Sequence, residues 1–218
     1  MLNSLQDQLT ELYRVDTAYR IDDFLITDPA LAKLLGASVL LEDTDETVLL
    51  TEDEQGVALS VYLDEAMLQR LRQQDPLTCL QPEQLNDLWT VIEGVSHFTY
   101  IAYSAGRDKA VTLLELEMQA EVDKFVSTWL LALQQDDQRL AERLHGWLFD
   151  EVRFHPDLDA GQQERYRAAN DYAARFCHGL QRRLSAANGG GLSELRNFYR
   201  MSQAHKISHI HSKAWAAG

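Results

Sequence analysis

The chain has 218 residues, 45% hydrophobic and 25% charged, and its 34 Asp+Glu against 20 Lys+Arg leave a formal net charge of -14. That length and apolar content suffice for one filled core, or one domain plus an appendage, and exclude general disorder. Cys79 and Cys177 stand far apart without CxxC or Cys/His ligand spacing, which excludes a disulfide framework and a structural zinc site.

The charge is uneven. Residues 1–137 hold 8 Lys+Arg against 26 Asp+Glu, whereas residues 138–218 hold 12 against 8. An acidic body repels phosphates and favours basic partners, so nucleic acid is disfavoured, and a mildly basic tail part could fold back on the body. The first twenty residues have no basic start and no continuous apolar run of the kind a secretory signal needs. No apolar run elsewhere approaches the roughly 20 residues needed to span a bilayer, so a cytoplasmic protein without a membrane span is expected.

In chain order, Leu5, Leu9, Leu12 and Tyr13 at helical spacing predict a first helix over 2–15. Asp28-Pro29, with Leu31, Leu34 and Leu35 before Gly36, predicts a short capped helix. The period then drops to two. Ser38 to Glu42, Thr47 to Thr51 and Val57 to Leu63 predict a three-strand antiparallel meander, the last with Val57, Leu59, Val61 and Leu63 on one face. Asp64 caps a helix to Gln73, and Pro82 opens another that Gly94 weakens. Ser96 to Ser104 and Ala110 to Met118 predict a hairpin turning at Gly106 and Asp108, followed by a helix over 119–135; the rival is two long antiparallel helices over 82–135. Helices then run from Asp137 past Leu148 and from Gln162 to Ser185. Asn188 to Gly191 reads as a hinge before a last helix and a His-rich end.

The expected fold is therefore α+β, an antiparallel sheet of meander plus hairpin covered by helices, with a helical C-terminal part. Three segments are expected: an acidic body over 1–135, a helical extension over 136–188 packed on it, and a hinged C-terminal helix with its His-rich end over 189–218. The order helix, three strands, helices, two strands, helix, together with the acidity, resembles the small acidic chaperones of type III secretion over roughly residues 1–135. That resemblance implies a dimer acting on a protein partner.

Candidate chemistry is sparse. GxGxxG, GxxxxGK[ST], GxSxG, HExxH and EF-hand patterns are absent. Glu93, His97, Glu115 and Glu117, with Glu121 beyond, are the catalytic candidates, because a His flanked by carboxylates can hold a divalent metal or act as a general base. In the hairpin, Glu115 and Glu117 share one face of a strand with His97 opposite them. His205, His209 and His211 are a second candidate metal set, His205 and His209 one helical turn apart. Tyr62, Tyr100 and Tyr103 could line an apolar groove. The bland alternatives are solvated carboxylates, a solvated or helix-capping set of histidines, and core aromatics. The expected function is a non-enzymatic, protein-binding or chaperone-like module without a cofactor, partnered by another protein or by itself as a homodimer. A metal-assisted, hydrolase-like enzyme using the His/Glu cluster is the alternative.

Overall fold

Residues 85–134 form two long helices, Leu85–Ala105 (α4) and Leu113–Gln134 (α5), where a strand hairpin and one helix were expected. The rival helical reading is the one observed, and the reason is burial. Over 96–104, Ser96, His97, Phe98, Thr99, Tyr100, Tyr103 and Ser104 are all buried, so α4 is covered nearly all round and shows no single stripe with a period of 3.6. Its β-branched and aromatic residues then mimic a strand. A helix-start signal was nevertheless present in Thr112-x-x-Glu115: the Thr112 hydroxyl accepts from the Glu115 amide at 3.1 Å.

The computed structural model describes residues 1–36, 45–53, 56–152, 158–185 and 190–216. Around α4 and α5 stand Leu2–Tyr13 (α1), Pro29–Gly36 (α2), Glu65–Gln73 (α3), Gln138–Phe149 (α6), Ala160–Cys177 (α7), Leu180–Ser185 (α8), Gly190–Arg200 (α9) and Gln203–Ala216 (α10). Side-chain caps fix several starts. Asp64 accepts from the Met67 amide at 2.7 Å, Asp137 from the Leu140 amide at 3.0 Å, and Asp159 and Gln162 form a reciprocal capping box. The single helix expected over 162–185 breaks after Cys177, where Gly179 takes a φ of 71° and separates α7 from α8.

The sheet is small and mixed, which corrects the expected antiparallel meander plus hairpin. Glu46–Asp53 (β2) and Gly56–Leu63 (β3) pair antiparallel, Glu46 opposite Leu63 and Val48 opposite Val61. Leu25–Ile26 (β1) joins the other edge of β3 in parallel, giving the order β1-β3-β2. The strand expected over 38–42 lies outside the described residues. β3 turns Val61 and Leu63 into the bundle core and Tyr62 into a satellite cluster with Ala32, Leu49 and Ile26. Thus α2 covers part of the sheet face away from the bundle.

Gly94 is where the sheet meets the bundle. A Cβ there would lie 3.1 Å from Leu63, 3.2 Å from Glu46 and 3.4 Å from Val61, so the glycine sits under the strands and does not end the helix. The C-terminal helices complete the core. Leu195, Phe198, Tyr199 and Ile210 are buried; Tyr13 stacks on Tyr199 at 4.0 Å and Phe176 on Phe198 at 3.8 Å. Arg196 donates to the Leu12 carbonyl at 2.8 Å, and Arg200 to the Tyr13 and Arg14 carbonyls, satisfying the open end of α1. Gly191 is buried where α9 passes α8, so close that an added Cβ would lie 2.5 Å from the Arg183 carbonyl carbon. Among the described residues no helix is long and apolar enough to cross a membrane.

Candidate functional site

Helical geometry re-sorts the predicted residues. Positions two apart on a helix point about 200° apart, so Glu115 and Glu117 lie on opposite sides of α5, whereas a strand would have given them one face. Glu117, Glu121 and Lys124 share one side, and they face Glu93 and His97, one turn apart on α4.

His97 is the centre of this cluster, 4% exposed. Its Nδ1 lies 3.3 Å from Glu46 Oε1 of β2, and its Nε2 lies 3.6 Å from Glu117 Oε2 of α5, beyond hydrogen-bond reach. Nε2 has no hydrogen-bond partner among the described residues. Lys124 Nζ donates to Glu93 at 3.0 Å and Glu121 at 2.6 Å, and the second Glu121 oxygen is buried without a partner. Tyr166 of α7 stands over the same group, and the guanidinium of Arg165 lies over its ring.

Charge is in excess here. Glu46, Glu93, Glu117 and Glu121 are four carboxylates against two cations, protonated His97 and Lys124. Burial drives the Glu46 and Glu121 carboxyls upward, more than their cations draw them down. Burial also opposes ionisation of Glu93, but Lys124 and His97 outweigh it and hold Glu93 below its ordinary value. Burial would likewise discharge the imidazole, yet Glu46 and Glu117 hold it protonated well above the ordinary histidine value. The Tyr166 hydroxyl is raised by burial, then by Glu117 and Glu93.

The cluster opens onto a cleft of about 850 Å³ between α4, α5 and the end of α6. Glu93, Glu121 and Lys124 form part of its lining, Trp89 and Trp147 contribute indole surface, and Asp150 and Glu151 add two more carboxylates. Trp89 Nε1 is held by the Thr128 hydroxyl at 3.1 Å, and the Arg143 guanidinium lies 4.3 Å from the Trp147 ring centroid.

Glu115 belongs elsewhere. On the opposite side of α5 it accepts from Tyr100 and Lys109, and from the Gln203 amide at 3.1 Å. The same side carries a sealed network. Asp123 accepts from Tyr13, from Ser96 at 2.5 Å and from Gln119 at 2.9 Å; Gln119 in turn accepts from Lys206, which is fully buried between the Tyr100 and Phe198 rings. Burial pushes Asp123 up to about 6 and Lys206 down to about 7.

The three C-terminal histidines face different partners. His205 Nδ1 lies 3.1 Å from the Ser202 hydroxyl, His209 Nε2 lies 3.1 Å from Glu194, and His211 meets the Tyr172 ring edge-on. Tyr62 and Tyr100 are buried and Tyr103 packs against Tyr199, so these tyrosines line no common groove. Among the described residues, three metal-capable ligand atoms converge within 4.8 Å at Glu46, Glu93 and His97.

Glu46, Lys124, Tyr166, Asp123 and Lys206 were missed by sequence reasoning. Glu117-x-x-x-Glu121-x-x-Lys124 is a one-face signal once the helix is assigned. Glu46 has no local signal, because β2 is brought to α4 by the sheet. Compared with protein-family models, curated proteins and solved structures, the chain matches none.

Proposed function

We propose that this chain is a non-enzymatic protein-binding module whose working surface is the acidic cleft, and that the cleft takes a basic side chain of a protein partner. The observation that supports this is the lining: two indoles beside Glu93, Glu121, Asp150 and Glu151, with Lys124 the one cation among the described lining residues. Carboxylates with aromatic faces suit a guanidinium or ammonium group, and Arg143 over Trp147 is an internal example of that contact. The overall charge of -14 would speed the encounter with a basic segment. A chaperone-like role loses its basis in element order, because 96–105 and 113–118 belong to helices and not to a strand hairpin. Cys79 and Cys177 are both unpaired, consistent with a reducing cytoplasm as the place of action.

The test is titration of a lysine- and arginine-rich peptide, with an acidic peptide as control, followed by tryptophan fluorescence and calorimetry. Binding of the basic peptide should weaken with salt and fall about tenfold or more in Trp147→Ala and Glu151→Lys. Equal binding of both peptides, or indifference to both substitutions, would defeat the reading.

Self-association is the other form the partner could take. Among the described residues β2 is an edge strand, and it bears exposed Leu50; α2 exposes Leu31, Leu34 and Leu35, with Leu34 75% accessible. A homodimer through this side would persist in salt. Sedimentation equilibrium showing a monomer at tens of micromolar would remove it.

One observation favours a second reading, a metal-assisted, hydrolase-like enzyme: Glu93 belongs both to the cleft and to the Glu46, Glu93 and His97 group. That reading requires a metal-dependent hydrolysis that disappears in His97→Ala.

A further inference from the structure

His97 is buried with a carboxylate facing each ring nitrogen, and the two carboxylates come from different elements. Glu46, Glu93 and His97 converge from β2 and α4, one ligand atom each within 4.8 Å, and Nδ1 is the nitrogen that faces Glu46 at 3.3 Å. Nε2, without a hydrogen-bond partner, is directed at Glu117 at 3.6 Å. This is the arrangement of a metal-binding imidazole: one nitrogen toward the ligand carboxylates, the other oriented by a carboxylate behind the ring. Lys124 occupies one oxygen of Glu93 at 3.0 Å. The four carboxylates exceed the two cations, so a further positive charge is accommodated.

We propose that Glu46, Glu93 and His97 Nδ1 bind one divalent transition-metal ion, with Glu117, its carboxylate 3.6 Å from Nε2, as the positioning residue whose charge orients the ring. Coordination displaces the Nδ1 proton to solvent, and the ring keeps the Nε2 proton facing Glu117. Two carboxylates and one imidazole, without thiolate, fit Zn²⁺, Fe²⁺ or Mn²⁺ better than Ca²⁺ or Mg²⁺, which take oxygen ligands. Three protein ligands leave at least one coordination position open. The site ties the sheet to the bundle, since Glu46 is the first residue of β2 and the other two ligands stand on α4. It shares Glu93 with the cleft lining and is a premise of the enzyme reading, but it requires neither peptide binding nor that reading to hold.

The experiment uses the full chain stripped with chelator, Zn²⁺ by calorimetry and Mn²⁺ by electron paramagnetic resonance. One ion per chain is expected, Zn²⁺ tighter than Mn²⁺, with His97→Ala and Glu46→Gln each weakening Zn²⁺ by at least a hundredfold. Glu117→Gln should weaken it about tenfold, the range for loss of an orienting partner. Circular dichroism checks folding; if His97→Ala does not fold, Glu46→Gln at the sheet edge carries the same expectation. No stoichiometric ion overturns the proposal, as does binding that survives both substitutions or is lost instead in a His205→Ala/His209→Ala chain. Basic-peptide binding is measured separately, so either proposal can fail without the other.

Discussion

The two sides of α5 carry similar residues under different rules. Toward α9 and α10, Asp123 receives three hydrogen bonds and Lys206 is boxed between two rings, with the C-terminal helices closing the network from solvent. Toward α4, Lys124 is paired, but His97 Nε2 and one Glu121 oxygen have no hydrogen bond, and the group borders a cleft. A buried charge whose lone pairs are used up holds helices together. One whose hydrogen-bonding capacity is left over beside open space is available to something else.

The largest effect should fall on the sealed side. Asp123→Ala strips the acceptor from Tyr13, Ser96 and Gln119 at once, with no route for water, and should cost about 3–5 kcal/mol in urea unfolding. Lys124→Met leaves Glu93 and Glu121 without their cation. Both border the cleft and can take up protons or water, so the cost there should be nearer 1–2 kcal/mol. Equal losses would erase the distinction between the two sides.

The next effect is in pH. Lys206 falls from 10.5 to about 7 on folding, so its favourable contribution is complete above 10.5 and lost as pH falls through about 7. Asp123 rises from 3.8 to about 6, so its contribution is complete below 3.8 and lost as pH rises through about 6. The two together place a minimum in their joint contribution to stability near pH 6 to 7. In the Lys206→Met chain the alkaline limb should vanish. The stability difference, natural chain minus variant, should climb by up to about 1.4 kcal/mol per pH unit between about 7 and 10.5. A flat difference across that window would mean that water reaches Lys206 and that the network is not sealed.

Much of this was legible in the residues and some could not have been. The capped helices at Asp64 and Asp137 and the alternation of Val57 to Leu63 carry their own local signals, and the structure shows helices and a strand there. The stretch 96–118 failed because a helix buried all round loses its stripe, so aromatic and β-branched residues read as strand. Thr112-x-x-Glu115 was the correcting signal. For the site, a turn about Gly106 sets His97 level with Leu116 in a strand hairpin and with Glu115 in a helical one, and the structure places His97 beside Glu117. Only helical phase separates Glu115 from Glu117. Glu46 and Lys206 lie 51 and 87 positions from their partners His97 and Gln119, a distance no periodicity bridges.

The smallest change in stability should come from Gly94→Ala, and it asks how the sheet is held to the available side of the bundle. Alanine inside a helix gains about 1 kcal/mol over glycine. Against this, the new methyl would press on Leu63 at 3.1 Å, Glu46 at 3.2 Å and Val61 at 3.4 Å, contacts tighter than ordinary packing. The relief available is a shift of β2 and β3 by a few tenths of an ångström away from α4, since among the described residues the sheet has three strands with β2 at one edge. Propensity and crowding then nearly cancel, and the unfolding free energy should change by less than about 1 kcal/mol. The shift carries Glu46 away from His97, however, while Asp123, Gln119 and Lys206 on the other side of α5 are untouched. Zn²⁺ affinity should therefore fall several-fold with the pH profile of stability between 7 and 10.5 unchanged. A chain that loses stability by 2 kcal/mol or more, or keeps its full metal affinity, would show that β2 is not free to move and that Glu46 does not set the site.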